Sequence, residues 1–129
     1  GISGAMYPIK NTPDLNRYLQ ELSPVARHME KHFSESISMA EMAAMAGLSP
    51  THFNRRFKTL LRMTPMHYLR SIRVQTAQQL LTTTTMSIAD VAVAVGFNDQ
   101  SHLTKRFKAV TGLTPSAYRK RFVRRSALS

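Results

Sequence analysis

The chain has 129 residues, room for one domain or two very small ones. Its 43% hydrophobic content excludes disorder throughout, and no apolar run nears the roughly 18 residues a membrane span needs. The absence of cysteine excludes disulfides and thiolate chemistry and favours the cytoplasm. Eighteen Lys and Arg against seven Asp and Glu give a net charge of +11, a surface that attracts polyanions, and after Asp99 there are eight Lys or Arg and no acid.

Residues 1–6 (GISGAM) read as a cloning scar, because the chain starts with Gly rather than Met, and residues 7–14, with Pro8 and Pro13, read as a linker. Scar and linker together are expected to fill residues 1–21. The spacing then predicts seven helices, over 24–33, 38–46, 50–61, 65–83, 87–95, 99–111 and 115–124. Ser23-Pro24, Ser49-Pro50, Thr64-Pro65 and Thr114-Pro115 mark four of the starts. A hydroxyl at the N-cap accepts from an unpaired backbone N–H, and proline at the next position has no N–H to waste. Ser38 with Glu41 forms a capping box, Ser87 with Asp90 a shorter-armed version, and Asn98 can cap the sixth helix. Residues 91–95 alternate Val with Ala, a weak strand signal, but Ser87 before them and Gly96 after them favour a short helix. No strand is expected.

The chain repeats itself at an offset of 49 to 50 residues. Ser38 matches Ser87, Ala43 matches Ala92, and Gly47 matches Gly96. After one extra residue in the second turn, His52 matches His102, Phe57 matches Phe107, Thr64-Pro65 matches Thr114-Pro115, and Tyr68 matches Tyr118. Each copy has the chemistry of a helix-turn-helix. A small residue (Ala43, Ala92) permits close helix approach, a glycine (Gly47, Gly96) takes positive φ at the turn, and a hydrophobe (Leu48, Phe97) plugs the corner. The second helix buries Phe53, Phe57, Leu60 and Leu61 in one copy, and Leu103, Phe107 and Val110 in the other. The remaining face is polar. It offers Thr51, His52, Asn54, Arg55 and Lys58 in the first copy, and Gln100, Ser101, His102, Thr104, Lys105 and Lys108 in the second. Arg can grip guanine O6 and N7, Asn or Gln can grip adenine N6 and N7, and Lys suits phosphate. For His52 and His102 two roles stay open, a DNA contact or a cap on local packing.

The organisation expected is a first unit over 22–64, a connecting helix over 65–83, a second unit over 84–124 and a basic tail over 125–129. A helix of 19 residues is about 30 Å long, close to the ~34 Å between successive major-groove faces of B-DNA. Such a connector suits two reading helices in adjacent major grooves, and two unlike copies imply an asymmetric site rather than a palindrome. Other chemistry finds little footing. His28 and His32 have a zinc-compatible spacing, but the run HMEKH lacks the glutamate of HExxH and no third ligand is evident. No metal, cofactor or catalytic residue is expected, and no nucleophile or acid–base pair clusters. Met39 and Met42 are assigned to the core. Tyr68 and Tyr118 are expected to pack beneath their units. Arg119, Lys120, Arg121, Arg124 and Arg125 form either a phosphate-facing end or a frayed tail. Docking to an anionic membrane or protein partner is a rival reading. RNA binding is another, set against the core role available to every aromatic of the repeats.

The motifs SIADVAVAVGF, Ser101-His102-Leu103, Lys105-Arg106-Phe107-Lys108, Gly112-Leu113-Thr114-Pro115 and Tyr118-Arg119 resemble the DNA-binding domain of the AraC/XylS family of bacterial transcription regulators, over residues 22–124. The resemblance implies an all-α, homeodomain-like domain of seven helices, with two helix-turn-helix units on a long central helix. It implies double-stranded promoter DNA and RNA polymerase as partners, an activator in the bacterial cytoplasm associated with the nucleoid, and no enzymatic activity. Many members carry an effector-binding or dimerisation domain ahead of this one, and the scar and linker favour one here.

Overall fold

Among the described residues, 12–123 in this computed structural model, there are seven helices and no strand. The first, α1, joins an α-helical stretch Thr12–Arg17 to another, Ser23–His32, through a π-helical turn, Tyr18–Leu22. Ser23 N–H donates to the Tyr18 carbonyl, five residues back. Pro24 supplies a reason for the wider turn: it has no N–H for the carbonyl four residues earlier, and its ring crowds that carbonyl. This corrects two expectations. Ser23-Pro24 does not open a helix, because Ser23 is itself helical. Residues 12–21 are helical rather than linker, and Leu22 behind them is fully buried. Thr12-Pro13, another hydroxyl–proline pair, stands where α1 begins. The scar and the rest of the linker lie outside the described residues.

Six helices follow: α2 (Met39–Ala46), α3 (Pro50–Leu61), α4 (Pro65–Thr83), α5 (Ile88–Ala94), α6 (Gln100–Thr111) and α7 (Pro115–Phe122). Their starts obey the capping chemistry. The Ser38 hydroxyl accepts from Glu41 N–H at 3.1 Å while the Glu41 carboxylate accepts from Ser38 N–H at 3.2 Å. Ser49, Thr64, Ser87 and Thr114 accept in the same manner from His52, His67, Asp90 and Ala117. At α6 the cap is Asp99, which accepts from His102 N–H at 2.8 Å, and not Asn98. Asp99 is one position nearer the helix and can reach the third amide.

The chain divides into two compact units, residues up to 32 with 37–69, and 33–36 with 70 onward. The division falls inside α4, so the expected connecting helix is shared between them. The first unit closes over Leu22, Val25, Met29, Met42, Ala43, Phe53, Phe57, Leu60 and Leu69, all buried. Tyr68 packs edge-on against Phe57 at 5.7 Å and donates from its hydroxyl to the Glu30 carboxylate at 2.9 Å. Burial, then that acceptor, holds the phenol far above its ordinary pKa, so it stays a donor. The second unit closes over Val74, Ala77, Leu81, Val91, Ala92, Val95, Phe97, Leu103 and Phe107, with Tyr118 edge-on to Phe107 at 5.2 Å. Each fully buried Phe or Leu contributes roughly 1.5–3 kcal/mol. Val110, expected in this core, is 59% exposed. It keeps the face of Leu103, but toward the end of α6 that face lines an open groove with Ser71, Val74, Gln75 and Gln78 of α4 rather than closed core.

Both helix-turn-helix corners take the expected form. Gly47 has φ +72° and Gly96 has φ +102°. Leu48 N–H donates to the Ala43 carbonyl and Phe97 N–H to the Ala92 carbonyl, both at 2.9 Å, the wide closing bond of a Schellman cap. A third matched pair lies at the end of the second helix of each unit. Gly112 closes α6 at φ +83°, and the equivalent residue closing α3 is Arg62, at φ +65°. A side chain there is strained against its own carbonyl. Arg62→Gly is therefore expected to stabilise the first unit by about 1 kcal/mol, the left-handed strain less the added freedom of the unfolded chain. A urea midpoint no higher than that of the parent would count against strain at this position.

Candidate nucleic-acid interface

Helices α3 and α6 show the same division of faces, because the same spacing drives both. Phe53 and Phe57 anchor one, Leu103 and Phe107 the other, and all four are fully buried. The residues at i, i+3, i+4 and i+7 from Thr51, namely Thr51, Asn54, Arg55 and Lys58, then share a stripe. Ser101, Thr104, Lys105 and Lys108 form its counterpart on α6. Thr51, Arg55 and Lys58 are exposed and Asn54 is half-buried; Ser101, Lys105 and Lys108 are exposed, Thr104 is half-buried, and Gln100 stands exposed at the helix start. Each stripe holds at least one hydroxyl and two cations a turn apart.

The two histidines stand off these stripes, one step round the helix. His52 is exposed, and its imidazole Nε2 lies 3.1 Å from an Arg56 guanidinium nitrogen. His102 is half-buried, its ring edge-on to Phe97 at 5.1 Å. His102 thus rests on the corner plug. His28 and His32 stack on each other at 4.7 Å, and no group of three metal-ligating side chains exists among the described residues.

Several cations are already committed. Arg56, on the flank of α3, forms an ion pair with Glu21 of α1 at 2.5 Å, with both side chains mostly shielded. Arg73 donates to the carbonyls of Phe33, at 2.7 Å, and Glu35, at 3.0 Å, and burial holds its pKa below the ordinary value. Arg119 donates to the carbonyls of Leu81, at 2.9 Å, and Thr84, at 3.3 Å, so it is not part of a frayed tail. Arg121 lies over the Phe122 ring at 5.6 Å, and Lys120 is exposed beside it. Arg124 and Arg125 fall outside the described residues. Sequence reasoning passed over Arg56, Arg73 and the α1 carboxylate that serves Arg56. Only the recurrence of an arginine just before Phe57 and Phe107 could have signalled a shared position. No helix among the described residues is long and apolar enough to cross a membrane.

Residues 42–121 match the family model described as a helix-turn-helix domain. The MmsAB operon regulatory protein of Pseudomonas aeruginosa is 34% identical over 101 residues, covering 78% of this chain and 33% of that one. The DNA-binding domain of AdpA, a global transcriptional factor solved with a target DNA, is 33% identical with a TM-score of 0.75, covering 79% of this chain and 92% of that one. A transcriptional regulator of Chromobacterium violaceum, described as containing an AraC-type DNA-binding domain, is 25% identical with a TM-score of 0.74, covering 89% and 99%. The chain spans less than half the length of the curated relatives it matches.

Proposed function

Because the chain belongs to the AraC-type helix-turn-helix family of DNA-binding domains of transcription regulators, we propose that it reads an asymmetric promoter site by placing α3 and α6 in adjacent major grooves. The observation that carries this reading is the matched pair of stripes, Thr51-Asn54-Arg55-Lys58 and Ser101-Thr104-Lys105-Lys108, each held on a helix whose far side is a buried phenylalanine face. Arg55 and Lys105, with Asn54 and Gln100, have the donors and acceptors that distinguish base pairs in the major groove, while Lys58 and Lys108 suit the phosphates beside it. His52 and His102 have lesser parts, His52 as a flanking contact and His102 as support for the corner. The 19-residue α4 has the length that the groove repeat asks for. On this reading the domain performs no catalysis and acts on nucleoid DNA in the bacterial cytoplasm. RNA polymerase is the partner it recruits as an activator, and in the whole protein an effector or dimerisation domain precedes it.

Selection of bound sites from random duplexes, followed by footprinting, tests the scheme. Two protected patches about one helical turn apart, unlike in sequence, are expected. One patch alone, or a palindromic site, would overturn it. Within that assay Arg55→Ala is expected to weaken binding to the selected site by about 1–3 kcal/mol and to relax preference at one or two base pairs. An unchanged preference would remove Arg55 from the reading set.

A further inference from the structure

In the first unit the arginine before the core phenylalanine, Arg56, has its counter-charge in Glu21. Its repeat partner in the second unit, Arg106, has none among the described residues. There the Arg106 Nε is buried and meets no hydrogen-bond acceptor. The charge nearby is of the same sign: Arg70, on α4, has its pKa lowered first by burial and then by repulsion from Arg106. Two partly desolvated guanidiniums that repel each other, one with an idle buried N–H, are costly unless an anion neutralises them. One turn further along α6, Val110 stands 59% exposed. It lines an open groove of about 300 Å³ with Ser71, Val74, Gln75 and Gln78 of α4.

We propose that the groove of the second unit between α4 and α6 binds a segment of a partner protein that sets a carboxylate between Arg70 and Arg106 and an apolar side chain, about one helical turn away, against Val74 and Val110. The chemistry argues for each part. A carboxylate accepts from Nε–H and a terminal N–H of one arginine side by side, once the covered Arg106 guanidinium turns out to meet it, and a second arginine completes the neutralisation. The apolar Val74–Val110 wall stands one turn from the arginine pair, and the amides of Gln75 and Gln78 offer donors and acceptors to a peptide backbone. DNA held on the reading stripe is the wrong source of this anion. Arg106 lies about 160° round the helix from Lys108, so it faces away from the duplex that Lys108 meets.

The Arg106 Nε–H signal in a nitrogen-edited NMR spectrum, identified by its loss in Arg106→Lys, reads the site directly. The probe is a blocked Ala/Gln peptide with one Glu and one Leu four positions apart, titrated against the full chain. A saturable shift of that signal is expected. Replacing the peptide's Glu by Gln, or making Arg70→Gln in the protein, should weaken binding by about tenfold or more, the worth of a charge-assisted hydrogen bond. In the Arg106 variants, which lack that signal, binding is read from the backbone amide of Val110; Arg106→Met should abolish peptide binding and raise the melting temperature, since an unpartnered buried charge becomes an apolar contact. Base preference should stay as it was. Arg106→Lys keeps the charge without the Nε–H. It should fold like the parent yet lose peptide affinity, which keeps the test open if the Met variant misfolds. Three outcomes overturn the proposal: no shift with the peptide, an equal shift with inorganic phosphate alone, or a shift produced only by duplex DNA.

Discussion

Gly96→Ala is expected to cost the second unit about 3–5 kcal/mol, whereas Gly47→Ala, at the same place in the repeat, should cost the first unit only about 1 kcal/mol. The two glycines share a positive φ but not their surroundings. A Cβ on Gly47 meets nothing within 4 Å. On Gly96 it falls 2.8 Å from Arg73 Nε, 2.9 Å from the Phe33 carbonyl oxygen and 3.0 Å from Ser34 Cα. Those atoms form one joint. Arg73 donates to the Phe33 and Glu35 carbonyls, which clamps residues 33–36 onto the second unit. A methyl group at position 96 cannot be accommodated by a rotamer change alone, because two of the three contacts are backbone. The clamp must open, leaving a half-buried guanidinium and a carbonyl with weaker partners, in addition to the strain of an L-residue at φ +102°. Equilibrium urea unfolding, followed on amide signals of each unit, separates the two cases. Similar costs at Gly47 and Gly96 would mean that residues 33–36 do not rest on Gly96.

Such contacts mark the limit of what could be read from the chain. The seven helices, both corners and the buried phenylalanines were legible because their signals are local. Hydroxyl caps act over three residues, and the apolar stripe repeats every turn. What escaped was set by distance or by context. The start of α1 was hidden because proline reads equally well as linker or as first-turn residue, and Thr12-Pro13 was passed over for Ser23-Pro24. The π-helical turn Tyr18–Leu22 depends on Pro24 lying inside a helix that was expected to begin there. The pairing of Arg56 with Glu21, 35 residues away, and of Arg73 with residues 33 and 35 leaves no periodic trace. Val110 satisfied the apolar spacing and still ended outside the core. The stripes themselves were visible, but the neighbours of the two histidines, Arg56 for His52 and Phe97 for His102, were not.

Affinity for the selected site is expected to fall about a thousandfold between 50 and 200 mM monovalent salt, as it does when roughly six phosphates are neutralised. The figure follows from which cations remain available rather than from the total of 18 Lys and Arg. Arg56 is paired with Glu21, while Arg73 and Arg119 are bound to backbone carbonyls. Arg70 and Arg106 face another side of the second unit, where their charges press on each other. Exposed on the two reading helices and on α7 are Arg55 and Lys58, Lys105 and Lys108, and Lys120 and Arg121. Each one that displaces a condensed counterion adds close to one unit to the slope of log affinity against log salt. Replacing Lys58 and Lys108 together by Gln should lower that slope by about two while leaving base preference intact, since phosphate contacts position the protein without reading sequence. A mobility-shift series at four salt concentrations measures both slopes. A parental slope below about two, or a double variant with the parental slope, would show that the cations flanking the reading stripes do not meet the DNA backbone, and the proposed placement of α3 and α6 would fail with them.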